Sequence, residues 1–124
     1  MIESMVKKMK KFVRVEVVTG AAKLSGFKKS MSKIGVTGMT VFQVMGCGVQ
    51  KGTPEYIDEI YEEIELLPKQ MITLIIEAEQ LDRVLDVISK ELYTGHIGDG
   101  KIFVSEVTNI IRIRTGEEGM EALI

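Results

Sequence analysis

The spacing of hydrophobic residues changes several times along the chain, and each change predicts a new element. Residues 12–18 (FVRVEVV) are β-branched and alternate between apolar and polar, which predicts a β-strand, and residues 39–45 (MTVFQVM) predict a second strand. A more continuously apolar run at 71–78 (MITLIIEA) predicts a third, buried strand. Two shorter runs, at 102–105 and 109–114, predict two closing strands.

Two other segments have the spacing of amphipathic helices. Residues 21–33 predict the first helix, with Ala22, Phe27 and Met31 on its apolar face. Gly35 is expected to end it, because glycine tolerates a positive φ. Residues 79–93 predict the second helix, and its apolar face consists of Leu81, Val84, Leu85, Ile88 and Leu92.

The order of these elements is strand–helix–strand, repeated once. A duplicated βαβ unit predicts an α+β, ferredoxin-like βαββαβ sandwich with an extra short C-terminal strand. Both helices are expected on one face of an antiparallel sheet, and residues 1–124 are expected to form a single domain. The other face of the sheet is apolar enough that we expect self-association to cover it.

Composition and charge exclude several classes of protein. The chain is 45% hydrophobic and 27% charged with a net charge of −2, which gives no general basis for binding nucleic acid. No apolar run reaches the ~20 residues that span a bilayer, so no membrane insertion is expected. The single cysteine, Cys47, suits a cytoplasmic protein. Residues 1–11 contain four lysines without the apolar stretch of a signal peptide and predict a solvated basic extension, with contact to an anionic partner as the alternative.

The glycine-rich segment GDGK, residues 98–101, is a candidate phosphate site. Its glycines allow backbone N–H groups to approach an anion, and Lys101 adds a compact positive charge. The alternative is a glycine turn with an incidental lysine.

The RIR segment is the second part of that candidate site. On a strand, Arg112 and Arg114 would share one face about 6–7 Å apart, while Ile111 and Ile113 would face the core. A solvated rim is the alternative. Because closing strands should lie near the GDGK turn in a compact βαββαβ unit, we predict that both segments converge on a polyphosphate.

A further glycine-rich segment, GCGVQKG at residues 46–52, begins the long connection between the second and third strands. Its glycines permit close approach of a ligand, and Gln50 and Lys51 supply polar groups. A flexible hinge for a surface loop is the alternative.

Taken in order, these segments resemble the PII nitrogen-regulatory signal proteins. The segments that carry the resemblance are KIGVTGMTVFQVMGCGVQKG, LLPK, TGHIGDGKIFVSEV and IRIRTGEEG, within residues 23–119. The resemblance implies a non-enzymatic homotrimer that binds ATP or ADP in clefts between subunits, with Mg²⁺ and 2-oxoglutarate beside the ATP. It also implies a long T-loop, residues 46–67 here, that binds a target protein through residues 50–66, and a C-terminal tail at 116–124.

The resemblance implies nucleotide-binding roles for residues of both glycine-rich segments and the closing strand, namely Thr40, Gly46, Gly48, Val49, Ile97, Gly98, Asp99, Gly100, Lys101, Arg112 and Arg114. It implies binding of 2-oxoglutarate by Gln50, Lys51, Gly52 and Lys69, with Gln50 also a ligand of the Mg²⁺ bound with ATP. No catalytic residue is predicted, because no nucleophile is paired with a base.

Several positions depart from the family pattern. Val49 replaces an arginine and removes one charge beside the phosphates, and His96 stands where lysine is common. Glu62 occupies the place of the tyrosine that some PII proteins have uridylylated, and Asp58 that of an arginine at the loop tip. Residues 46–69 carry a net charge of −4, which favours a basic partner surface. The sequence of this loop also predicts a partly helical conformation, with Thr53 as N-cap and Pro54 at the first helical position.

Four hypotheses for function follow. The first is a PII-like regulator of a nitrogen-metabolism target such as an ammonium transporter, nitrogenase or glutamine synthetase. The second is a PII-like adenine-nucleotide sensor that responds to ADP or AMP without 2-oxoglutarate and has a partner outside nitrogen metabolism. The third is a ferredoxin-like enzyme that uses the phosphate cleft for transfer. The fourth, a CutA-like metal-binding trimer, is disfavoured by a single histidine and a single cysteine.

Overall fold

The computed structural model of the chain describes residues 12–20, 24–47, 66–95 and 100–124. The elements in these residues are β1 (Phe12–Thr19), α1 (Leu24–Lys33), β2 (Thr40–Cys47), β3 (Leu66–Glu77), a 3₁₀ turn (Ala78–Gln80), α2 (Leu81–Leu92), β4 (Lys101–Val107) and α3 (Met120–Leu123). The predicted βαββαβ order is therefore confirmed. None of the helices in the described residues is long and apolar enough to cross a membrane.

The four strands form one antiparallel sheet in the order β2-β3-β1-β4. The two central strands, β3 and β1, pair along the whole length of β1, from Phe12 opposite Glu77 to Thr19 opposite Gln70. The outer strands, β2 and β4, are consequently three strand positions apart. This order and the two helices on one face are those of the predicted ferredoxin-like fold.

The core lies between the sheet and the two long helices. Alternate residues of β1 and β3 face the helices, and the cross-strand pair of Val15 and Leu74 is fully buried. Phe27 of α1 and Val84 of α2 pack in the same cluster and are also fully buried. Burial of such side chains stabilises the fold by about 1.5–3 kcal/mol each. Phe27 and Met31 of the first predicted apolar face are thus confirmed in the core, while Ala22 lies outside the described residues. Of the second face, Val84 and Ile88 are in the core and Leu81 and Leu92 pack against it.

The hairpin of β2 and β3 extends beyond the rest of the sheet. β1 ends opposite Gln70, so residues 66–69 of β3 pair with residues 44–47 of β2 alone. The predicted strands ended at residue 45 and began at residue 71, and the structure lengthens both. Four residues of the expected T-loop range, 46, 47, 66 and 67, accordingly lie in a paired ladder.

The expected closing strand over residues 109–114 is wrong. The segment makes a single β-bridge, between Ile111 and Glu118, and reverses direction between them. The Gly116 N–H donates to the Arg112 carbonyl over 2.8 Å, and Gly116 has a φ of 74°. A glycine with positive φ favours a tight turn, so the alternation in RIR does not produce a strand here. Ile113, expected in the core, is fully exposed at this turn, and Ile111 is 62% exposed.

Candidate functional site

Three of the predicted site residues lie at the β2 side of the sheet, with Thr40 at the start of β2 and Gly46 beside Lys69 about 20 Å further along the strand. Thr40 and Gly46 of β2 and Lys69 of β3 all point away from the helices, because each alternates with a residue on the helix-facing side. The side chain of Lys69 passes over Gly46, since a Cβ placed on that glycine would lie 3.1 Å from the Lys69 Cγ. The structure thus brings a predicted nucleotide residue beside a predicted 2-oxoglutarate residue.

Gly100 and Lys101 lie at the opposite side of the sheet, where β4 begins. Lys101 pairs with Val18 of β1 and is exposed on the same helix-free face as Thr40 and Lys69. A Cβ added to Gly100 would overlap the carbonyl oxygen of Val18. Glycine is therefore required at position 100 by the packing of β4 on β1, independently of any ligand.

The two groups share one face but not one edge. Phe42 of β2, Met71 of β3, Val18 of β1 and Lys101 of β4 form one row across the sheet. Three strand spacings separate the ends of this row, about 14 Å. A single chain therefore does not enclose one phosphate group with both edges, whereas two copies could place the β4 edge of one against the β2 edge of the other.

Arg112 lies at the other end of the strands from Lys101. β4 runs seven residues from Lys101 to Val107, about 20 Å, before the chain reaches the turn that contains Arg112. The Arg112 guanidinium contacts Glu117 and the main-chain oxygens of Glu121 and Ile124. The expected convergence of the RIR and GDGK segments within one chain is therefore not present.

Glu117 is a residue of this region that the sequence did not single out. Its Oε1 lies 3.1 Å from Arg112 Nη1, and its N–H is 3.2 Å from the Thr115 hydroxyl. The neighbouring Glu118 instead accepts a hydrogen bond of 2.7 Å from Asn109 Nδ2. The sequence signal for these contacts is the pair of glutamates directly after RTG. The geometry of the turn determines which of the two glutamates contacts Arg112.

Arg114, the second arginine of RIR, is exposed in the turn that follows Arg112. The other predicted site residues lie outside the described residues, namely Gly48, Val49, Gln50, Lys51, Gly52, Ile97, Gly98 and Asp99. His96 and the predicted helix in the long connection lie outside them as well. Among residues 12–20, 24–47, 66–95 and 100–124, no group of three or more His, Cys, Asp or Glu side chains could hold a metal ion.

A family model and several characterised proteins match this chain. The model described as "Nitrogen regulatory protein P-II" matches residues 12–117. Nitrogen regulatory protein GlnK of Escherichia coli K12 is 46% identical over 109 residues, which are 88% of this chain and 97% of the relative. Nitrogen regulatory protein P-II 1 of Methanothermobacter thermautotrophicus is 37% identical over 115 residues, 93% of this chain and 100% of the relative.

Solved structures are similar over the same extent. The structure of Bacillus subtilis GlnK in complex with ATP has a TM-score of 0.77 and 39% identity, and the match covers 92% of this chain and 97% of that one. Arabidopsis thaliana PII bound to citrate has a TM-score of 0.75 and 32% identity, with 92% and 91% covered.

Proposed function

Since the chain belongs to the nitrogen regulatory protein P-II family, whose members are non-enzymatic regulators, we propose that it binds ATP or ADP, together with 2-oxoglutarate, in clefts between its own copies. It then regulates a nitrogen-metabolism target through its T-loop. The observation that carries this proposal is the placement of Thr40 and Lys69 at one edge of the helix-free face and Lys101 at the other. A nucleotide lying between two chains would meet one edge of each.

A trimer would close this arrangement, because each chain offers one β2 edge and one β4 edge and the contact between them is head-to-tail. Large apolar side chains on the helix-free face support burial by other copies. Phe42 is 45% exposed and Phe103 is 54% exposed, and both lie on that face.

The division of roles follows the chemistry of the side chains. Lys101 supplies a positive charge for a phosphate, and Gly46 leaves room for the side chain of Lys69 to pass over β2. Lys69 would hold a carboxylate of 2-oxoglutarate, with Gln50, Lys51 and Gly52 completing that site and Gln50 contacting Mg²⁺. B. subtilis GlnK has been solved with ATP, which supports the nucleotide half of the proposal.

Regulation would arise from differential affinity between states. ATP with 2-oxoglutarate would favour one conformation of the T-loop and ADP another, and the target would bind one of them. The net charge of −4 over residues 46–69 suits a basic surface on that target, whether an ammonium transporter, nitrogenase or glutamine synthetase. We place this regulator in the cytoplasm, as its single cysteine suggests.

Calorimetric titration with ATP and Mg²⁺, with and without saturating 2-oxoglutarate, tests the proposal. We expect each ligand to increase the affinity of the protein for the other. We also expect Lys101→Ala to lower the affinity for ATP by about 10- to 100-fold, as loss of a charge-assisted hydrogen bond does. Lys90→Ala is the matched control, because Lys90 is an exposed lysine of α2 paired with Asp86 over 3.0 Å. Equal losses of ATP affinity in both variants would contradict the assignment of Lys101 to the phosphate.

The second hypothesis, a nucleotide sensor without 2-oxoglutarate, is favoured by Val49, which stands where the family has an arginine. In the same titration it predicts that ATP, ADP or AMP binds with an affinity that 2-oxoglutarate does not change. Lys69→Ala would then leave nucleotide binding unaltered at every concentration of 2-oxoglutarate.

A further inference from the structure

Arg112 holds the C-terminal segment, defined here as residues 116–124, through its guanidinium group. Nη1 donates to Oε1 of Glu117 over 3.1 Å. Nη2 donates to the main-chain oxygens of Glu121 over 2.8 Å and of Ile124 over 2.6 Å. Three acceptors of the C-terminal segment thus surround one arginine, which is half-buried among them.

The C-terminal segment in turn lies beside the β2 side of the molecule. Met120, Leu123 and Ile124 line a groove of about 340 Å³ together with Gly38 and Ile75. Gly38 is two residues before Thr40, a residue of the proposed nucleotide site. The segment that Arg112 holds is therefore next to the first residue of β2.

The contacts of Arg112 exclude simultaneous paired binding of a phosphate. A guanidinium binds a phosphate through two parallel N–H groups on one of its edges. In this structure both N–H groups of Nη2 are directed to main-chain oxygens, and one of Nη1 is directed to a carboxylate. A phosphate that takes two of these donors must displace part of the C-terminal segment.

We propose that the C-terminal segment and a nucleotide phosphate compete for Arg112. The segment then lowers the affinity of the protein for nucleotide, and bound nucleotide releases the segment from the groove at Gly38. Linkage requires both effects to have the same magnitude. This inference rests on the proposed function, because it assigns Arg112 to the phosphate, and it adds a means by which the occupied site changes the C-terminal surface.

Substitutions at two adjacent glutamates distinguish competition for Arg112 from a general effect of charge on the affinity for ATP. Glu117→Gln weakens an acceptor of Arg112, and we expect ATP to bind about 5-fold more tightly or better, the low end of ordinary coupling between sites. Glu118→Gln removes the same charge one residue away, where the carboxylate contacts Asn109 instead. We expect its ATP affinity to stay within about 2-fold of the unaltered protein.

Amide hydrogen exchange of the full-length chain reports release of the segment directly. The N–H groups of Ala122 and Leu123 donate to the Gly119 carbonyl over 3.0 and 3.2 Å, and saturating ATP should accelerate their exchange. Arg112→Gln should accelerate it to the same extent without ATP. Unchanged exchange in Arg112→Gln overturns the proposal, because Arg112 would then not hold the segment.

The calorimetric outcomes distinguish this inference from the proposed function. If the unaltered protein binds ATP and both glutamate variants change its affinity equally, or neither does, competition is overturned while the proposed function stands. If the unaltered protein binds no nucleotide, the proposed function fails and the competition fails with it. Tighter binding by Glu117→Gln alone, with faster exchange in the presence of ATP, supports the inference.

Discussion

At Gly100 the missing side chain lets the first residues of β4 lie directly against the carbonyl of Val18. The neighbouring atoms belong to the backbone of β1, which is paired on both sides and cannot move independently. A glycine in a candidate phosphate turn is readily explained by the ligand alone. Here the sheet itself already requires it, so loss of binding in a Gly100 variant would not by itself demonstrate contact with a ligand.

A side chain at position 100 is expected to destabilise the fold. Gly100→Ala should lower the free energy of unfolding by about 2 kcal/mol, because a methyl group there must displace backbone. Gly20→Ala is the control, since nothing lies within 4 Å of its Cβ position, and it should change the same quantity by less than about 0.5 kcal/mol. Urea unfolding of both variants measures the difference, and equal stabilities would show that β4 can shift away from Val18.

Among the elements, β3 joins β2 to the rest of the sheet. It has β1 on one side and β2 on the other, and alternate residues from Ile72 to Ile76 are buried under the helices. Its first four residues lie outside this core and pair with β2 alone. The same strand therefore has one part that is stabilised by burial in the core and a shorter part, its first four residues, with little burial.

Two leucines of β3 test that difference. Leu74→Ala removes a fully buried side chain and should lower the free energy of unfolding by about 3 kcal/mol. Leu66→Ala removes the same atoms from a residue that is 57% exposed and should cost less than about 1 kcal/mol. Thermal or urea denaturation measures both. A loss for Leu66→Ala as large as that for Leu74→Ala would mean that an interface in the assembly buries the start of β3.

The local sequence pattern predicted those elements that the core stabilises. β1, α1 and α2 have clear apolar periods because Val15, Phe27 and Val84 must be buried on one side. Residues 46–47 and 66–69 lie beyond the core and carry no such period, so the predicted strands are shorter at these ends than the observed ones. RIR alternates as a strand would, but the chain reversal is decided by Gly116 rather than by the alternating residues.

The residues of the candidate site remain a prediction from resemblance to a family, which assigns roles to Thr40, Lys69 and Lys101. Their arrangement could not be predicted from the sequence. The separation of these residues onto opposite edges follows from the strand order β2-β3-β1-β4, which is a property of tertiary pairing and leaves no local pattern. The contacts of Arg112 depend in the same way on how residues 112–124 fold back.

At the scale of the whole molecule, a site shared by two copies can be restored by mixing two defective chains. Lys101→Ala damages the β4 edge, and Thr40→Glu places a negative charge at the β2 edge, so neither variant alone should bind ATP well. In a head-to-tail trimer that contains both variants, one cleft in three combines two intact edges. Calorimetry of co-expressed, doubly tagged assemblies should therefore recover about a third of the ATP sites.

The control for this experiment places both defects in one chain. Mixing Lys101→Ala with the double variant Thr40→Glu, Lys101→Ala leaves every cleft with a damaged β4 edge, and no sites should return. No recovery in the test mixture would mean that each chain forms its nucleotide site by itself, and recovery in the control mixture would mean that the site does not need Lys101.

The projecting hairpin of residues 44–47 and 66–69 has a consequence for how such a protein can diversify. Its ladder connects the sheet to the long connection without using any residue of the core cluster. Residues 53–65 include none of the proposed ligand-binding residues, so a lineage can acquire a new partner by changing their sequence while the core cluster stays intact. An acidic sequence at those positions, in a chain that is 46% identical to E. coli GlnK over 109 residues, is what such exchange would leave behind.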